Sequence, residues 1–190
     1  MSAKIPTFIK KSYSYFLITL ALIVLVNILV ITYVQTEQAI YYWDISAYWK
    51  NALHLLETFQ LDFQLGVTEV INSTSTDYNY LPLVPLLPAM ELLGSGRKVF
   101  TLLIVNLYVI PFAVLLAAAS TSLVKLKRSI APAFYALALF ATLFLPATLV
   151  PALDGRVDAI NLVIVGLVAL LYAKTKFAKI GPLRMVKSFC

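Results

Sequence analysis

Charge is scarce in this chain: only 13% of its 190 residues are Asp, Glu, Lys or Arg, roughly half the share found in soluble domains. With 61% hydrophobic residues, that scarcity excludes an ordinary water-soluble globule and defines an integral membrane protein. Cysteine is scarcer still, and the single Cys190 excludes an internal disulfide. One histidine and one cysteine leave no closely spaced His or Cys cluster, so neither a metal site nor a divalent-metal cofactor is expected. No charged residue lies in the middle of a long apolar run, which argues against the ion path of a transporter. Internal repeats and low-complexity tracts are also missing. The net charge of +6 does not call for a nucleic-acid partner, because lysines and arginines in cytoplasmic loops account for it in a membrane chain.

What the chain does have is long apolar runs. Residues 15–34 form the first, long enough to cross a hydrocarbon core that takes roughly 20 helical residues. It is too long for a signal-peptide core and no small-residue cleavage site follows, so it reads as a retained transmembrane helix. Asn27 within it is expected to make a helix–helix hydrogen bond. Three more spans are expected over residues 99–119, 130–150 and 159–173, with a compact basic turn, Lys125-Leu126-Lys127-Arg128, between the second and third. Pro111 and Pro132 are tolerable within or at the start of such helices, where neighbours satisfy the freed carbonyls.

Between the first and second spans lies a polar region, residues 35–98. Ile45, Tyr48, Trp49, Ala52, Leu55, Leu56 and Phe59 recur at three- and four-residue spacing and predict an amphipathic helix over 44–60. It is expected to lie along the membrane surface with Trp49 and Phe59 dipping in. Asp44 sits at its start, where the helix dipole favours a carboxylate. Residues 72–80 read as a loop, and Asn72-Ser73-Thr74 within it fits a glycosylation sequon. Residues 81–93, punctuated by Pro82, Pro85 and Pro88 and closed by Gly94, are too short to span and predict a proline-opened helix at the outer interface.

Counting charges orients the chain. With four spans and both termini inside, eleven of the fifteen basic residues are cytoplasmic, and only Lys50, Arg97, Lys98 and Arg156 lie outside. All nine acidic residues then fall in the outer loops, 35–98 and 151–158. A fifth span at 81–93 would leave only six basic residues inside, against the positive-inside rule. The expected architecture is therefore an all-α, N-in/C-in membrane domain of about four transmembrane helices, with amphipathic juxtamembrane helices in a long first outer loop.

In this arrangement the chain resembles the N-terminal part of the GT-C class of membrane glycosyltransferases, which includes protein O-mannosyltransferases and lipid A aminoarabinose transferases. The residues that carry the resemblance are Asp44 with Tyr48 and Ala52 beyond the first span, and Tyr80-Leu81-Pro82-Leu83 opening a helix that ends at Gly94. Arg97 or Lys98 before the second span and Asp154 to Asp158 entering the fourth complete it.

The resemblance implies transfer of a sugar, with inversion, from a polyprenyl-phosphate carrier to an acceptor on the non-cytoplasmic side. It makes Asp44 the base that takes the acceptor proton, with Asp154 or Asp158 assisting. Lys50, Arg97, Lys98 and Arg156, with Tyr80, become candidates for the carrier phosphate. Bland readings stand beside these roles. Arg97 and Lys98 also suit snorkelling to head groups, Arg156 suits a local ion pair with Asp154 or Asp158, Tyr78 and Tyr80 suit interface anchoring, and His54 suits plain solvation.

Relatives carry more spans and often two adjacent acidic residues where this chain has Asp44-Ile45. A partner chain or further C-terminal helices are therefore expected to complete the module. The alternative is a non-catalytic membrane subunit or scaffold of the same fold, using small residues such as Ala117 to Ser120 and Gly166 for close helix contact. A prokaryotic plasma membrane is the expected location, because the chain has no retention signal. An endoplasmic reticulum membrane is also compatible.

Overall fold

The computed structural model describes residues 7–37, 44–124, 126–127 and 129–175, and every regular element among them is helical. The basic side chains at the N-terminus, those of Lys125 and Arg128, and the tail beyond Thr175 lie outside the described residues.

The first helix, α1 (Thr7–Thr36), contains no glycine or proline and runs without a break. Its apolar part, Tyr13–Thr36, has 24 residues and is roughly 36 Å long, enough to cross a bilayer core. The second long rod is Arg97–Leu123, 27 residues. It is built from α5 (Arg97–Ile104), a π-helical turn (Val105–Val109) and α6 (Ile110–Leu123). Pro111 explains the π turn. Proline cannot donate to the carbonyl four residues back, and Ile110 N–H instead bonds Val105 O, five residues back.

Where a single straight span over 130–150 was expected, the structure has two helices, α7 (Ala131–Phe144) and α8 (Pro146–Leu153), bent by 48°. Pro146 lacks the donor and disfavours a helical residue before it, so Leu145 is extended (φ −64, ψ 125) and the rod breaks there. The last element, α9 (Ala159–Thr175), is apolar but only 17 residues long. Among the described residues, two helices are thus long and apolar enough to cross a membrane, or three if the bent pair counts as one span.

Three polar contacts set the direction of these rods. Near one end Thr19 Oγ1 meets Tyr135 OH at 2.9 Å, and Tyr15 packs edge-on against Tyr135. Midway, Asn27 and Asn106 exchange amide hydrogen bonds at 3.1 and 2.6 Å, while each also donates to a carbonyl one turn back. At the other end Arg97 pairs with Glu37. Position rises along α1 as it falls along the second rod, so these two are antiparallel, whereas α7 runs parallel to α1. Close packing of α9 on α6 depends on Gly166, where an added Cβ would lie 3.1 Å from Leu115 Cβ and 3.3 Å from the Phe112 carbonyl. The small residue expected to face a partner is thus used within the chain.

The segment between α1 and α5 forms a separate layer of α2 (Asp44–Leu61), α3 (Phe63–Ser73), a 3₁₀ turn (Leu81–Leu86) and α4 (Leu87–Leu93). Asp62 divides α2 from α3: its backbone is extended, and its carboxylate accepts from Gln64 N and Leu65 N, capping a new helix. Gly94, at φ 101, stops α4 in a conformation that costs other residues strain.

The amphipathic stripe of α2 is present and packs into the protein's own core. Ala52, Leu55 and Thr58 are buried, and Trp49 and Phe59 pack against the core with Val70, Leu83, Leu86 and Met90. Trp49 and Phe59, expected to dip into the membrane, are partly buried and pack on the protein's own core, to which α3, the 3₁₀ turn and α4 contribute. Two bonds tie this layer to the rods: Trp49 Nε1 donates to Ser95 O at 3.0 Å, and the buried Tyr108 hydroxyl donates to Pro82 O.

Candidate functional site

The end of the bundle that carries Glu37 gathers the charged groups. Glu37 follows the last turn of α1, where its amide still bonds Tyr33 O. Its two carboxylate oxygens are divided between two donors, Tyr33 OH to Oε1 at 2.7 Å and Arg97 Nη2 to Oε2 at 2.8 Å. All three groups are partly buried, which strengthens a charge-assisted pair relative to one in open water. Asp154 stands within electrostatic range of Tyr33.

Asp154 is held by the end of α8. Gly155, at φ 78, allows Arg156 N–H to reach Pro151 O and Gly155 N–H to reach Ala152 O, the paired bonds of a left-handed helix cap. The cap turns the chain sharply and leaves Asp154 half-buried, with Arg156 and Asp158 exposed.

Below this cluster lies an apolar crevice of about 230 Å³, lined by Val26, Leu29, Val30 and Tyr33 of α1, Phe144 of α7, and Leu149 and Leu153 of α8. The bend at Leu145 lies between Phe144 and the α8 residues that line it. Tyr33 belongs to both regions: its ring lines the crevice and its hydroxyl holds Glu37. Chemically the arrangement suits an amphiphile, with room for hydrocarbon between the helices and charge of both signs at the mouth.

The expected site residues divide among three places. Arg97 joins the cluster, whereas Asp154 is half-buried at the end of α8. Lys98 is exposed on the first turn of α5, and Arg156 and Asp158 are exposed on the turn into α9. Neither Asp154 nor Asp158 forms an ion pair with Arg156, so the local pairing considered for that loop is not made. Asp44 opens α2, as expected from the sequence, but its side chain lies outside the described residues.

Lys50 is exposed on α2. Tyr80 belongs to a different feature, a polar cup with His54, Glu69, Asn72, Ser73 and Thr76. There His54 Nε2 lies 3.3 Å from Glu69 Oε2, so this histidine has a carboxylate partner and is not simply solvated.

Sequence reasoning passed over Tyr33 and Glu37. The signal was available: a tyrosine and a carboxylate four residues apart where the first apolar run ends, and an arginine where the next begins. In antiparallel neighbours those positions meet. Comparison of the chain with known protein families, curated proteins and solved structures returns no match.

Proposed function

We propose that the chain crosses the membrane four times with both termini cytoplasmic, and that its Glu37 end handles a polyprenyl-phosphate-linked sugar for transfer to an acceptor on the non-cytoplasmic side. The observation that carries the reading is the apolar crevice whose lining residue Tyr33 also donates to Glu37, the carboxylate that pairs with Arg97. A lipid-linked phosphate needs both parts at once, hydrocarbon below and cationic donors above. Antiparallel α1 and Arg97–Leu123, with α7 parallel to α1, support alternating crossings. Under this reading α9, at 17 residues, is a short fourth span within the roughly 17–25 residue range.

In the reaction the acceptor hydroxyl oxygen attacks the anomeric carbon and gives its proton to Asp44. The bond from that carbon to the phosphate oxygen breaks, and the polyprenyl phosphate leaves with the electron pair. Asp154 or Asp158 supports the base. Arg97, Lys98 or Arg156 offsets the charge on the leaving phosphate, with Lys50 and Tyr80 as further candidates for contact with the sugar phosphate. No cofactor takes part. A partner chain or further helices complete the lipid groove, and the active side faces the exterior of a prokaryotic plasma membrane.

The test is sugar transfer by membranes that contain the protein with its natural partners. Asp44→Asn is expected to abolish transfer while leaving the amount of protein in the membrane unchanged. Undiminished transfer by that variant would remove Asp44 from the chemistry.

A further inference from the structure

Four large apolar side chains at the edge of the outer layer lack protein cover: Leu61 is 88% exposed, Phe63 70%, Leu92 84% and Leu93 67%. They come from two segments brought side by side, since Gln60 of α2 donates to Glu91 of α4 at 3.5 Å. A groove of about 350 Å³ opens between the same segments, with Leu56, Phe59, Phe63, Val84, Leu87 and Pro88 among its lining residues.

What covers this edge follows from where the layer is docked. Tyr108, eleven residues beyond Arg97 on a membrane-length helix, donates its hydroxyl to Pro82 O of the layer. Eleven helical residues are roughly 16 Å of rise. The layer therefore lies against the flank of the rod, below its charged end, and not on top of it. Leu92 and Leu93 lie just before Arg97, where that rod begins. The uncovered edge thus adjoins the start of a helix long and apolar enough to cross a membrane.

We infer that the edge formed by Leu61, Phe63, Leu92 and Leu93 is immersed in the outer leaflet of the same membrane, and that the adjacent groove accepts a hydrocarbon chain of a bilayer lipid. Asp62, between Leu61 and Phe63, spends its carboxylate on capping α3. Contact is apolar and uncharged: the neighbouring Glu57, Asp62 and Glu91 are acidic, so anionic lipid is not the attractant. This inference rests on membrane crossing but not on sugar transfer, and its test needs no substrate.

In a Cys190→Ser background, spin labels are placed singly at Leu61→Cys, Phe63→Cys, Leu92→Cys and Leu93→Cys, with Glu57→Cys and Gln64→Cys as water-facing controls. The full chain is reconstituted in phosphatidylcholine nanodiscs. The four edge positions are expected to show high oxygen and low nickel-chelate accessibility, the reverse of the controls. Water-like accessibility at all six positions would overturn the inference, as would dipolar broadening at the edge that disappears on dilution with unlabelled protein, which would assign the edge to a second copy. Unmodified protein provides a parallel reading: a photoactivatable phosphatidylcholine should label peptides covering residues 56–63 and 87–93 above those covering 64–73. Equal labelling of all three would contradict it.

Discussion

Glu37 accepts from both the Arg97 guanidinium and the Tyr33 hydroxyl. Removing Arg97 leaves the partly buried Glu37 with the Tyr33 hydroxyl but no cationic donor. Arg97→Ala should destabilise the protein by about 2 kcal/mol, the scale of a lost hydrogen bond to a charged group. Adding Glu37→Gln to that variant should restore part of the loss, since no uncompensated carboxylate remains. Thermal unfolding in one detergent reads both, and equal midpoints for the two variants would show that the pair does not couple.

Asn27 and Asn106 follow the same logic deeper in the bundle. Each single leucine substitution should cost about 1 kcal/mol, and the double-mutant cycle should return most of it as coupling. The sequence marked Asn27 as a helix–helix contact, and the structure supplies Asn106 as the partner. Glu37 was less legible, because its meaning depends on a partner sixty residues away.

Elements carry the geometry of the mouth through glycine and proline. Gly155 holds the left-handed cap of α8, so Gly155→Ala should cost about 1 kcal/mol and displace Asp154. Gly66 allows α3 to lie on α2, because an added Cβ would sit 2.7 Å from the Phe59 ring. Gly66→Ala should therefore lower stability by about 1–3 kcal/mol, the range for overpacking. An unchanged unfolding midpoint in either variant would mean that the contact yields more easily than its geometry suggests.

At this scale the sequence was informative about existence and poor about direction. The three- and four-residue spacing of Ala52, Leu55 and Phe59 predicted α2, yet periodicity says only that one face is apolar. It cannot distinguish lipid from Leu83, Leu86 and Met90 as the cover. Helix α3 escaped notice because the change at Asp62 is a single capping residue inside an otherwise continuous pattern. The break before Pro146 was masked by the unbroken hydrophobicity on either side.

For the whole molecule, the contacts at Tyr135, Asn106 and Arg97 order the rods along a common axis, while the side of the membrane remains a claim derived from charge. Translation into microsomes tests it. Asn72 is exposed at the end of α3 and belongs to an Asn-Ser-Thr sequon, so it should be glycosylated if the outer layer is luminal, and Asn72→Gln should remove the modification. Unmodified Asn72, together with modification of a sequon placed in the turn between α6 and α7, would invert the topology.

The account as a whole depends on the crevice accepting a lipid-linked phosphate, and a photoactivatable polyprenyl-phosphate analogue tests that most directly. With the protein in nanodiscs, crosslinks mapped by mass spectrometry should concentrate on Val26, Leu29, Val30, Leu149 and Leu153, fall when unlabelled polyprenyl phosphate is added, and weaken in Arg97→Ala. Crosslinks spread over the exposed faces of α1 and α9, insensitive to competitor, would contradict it.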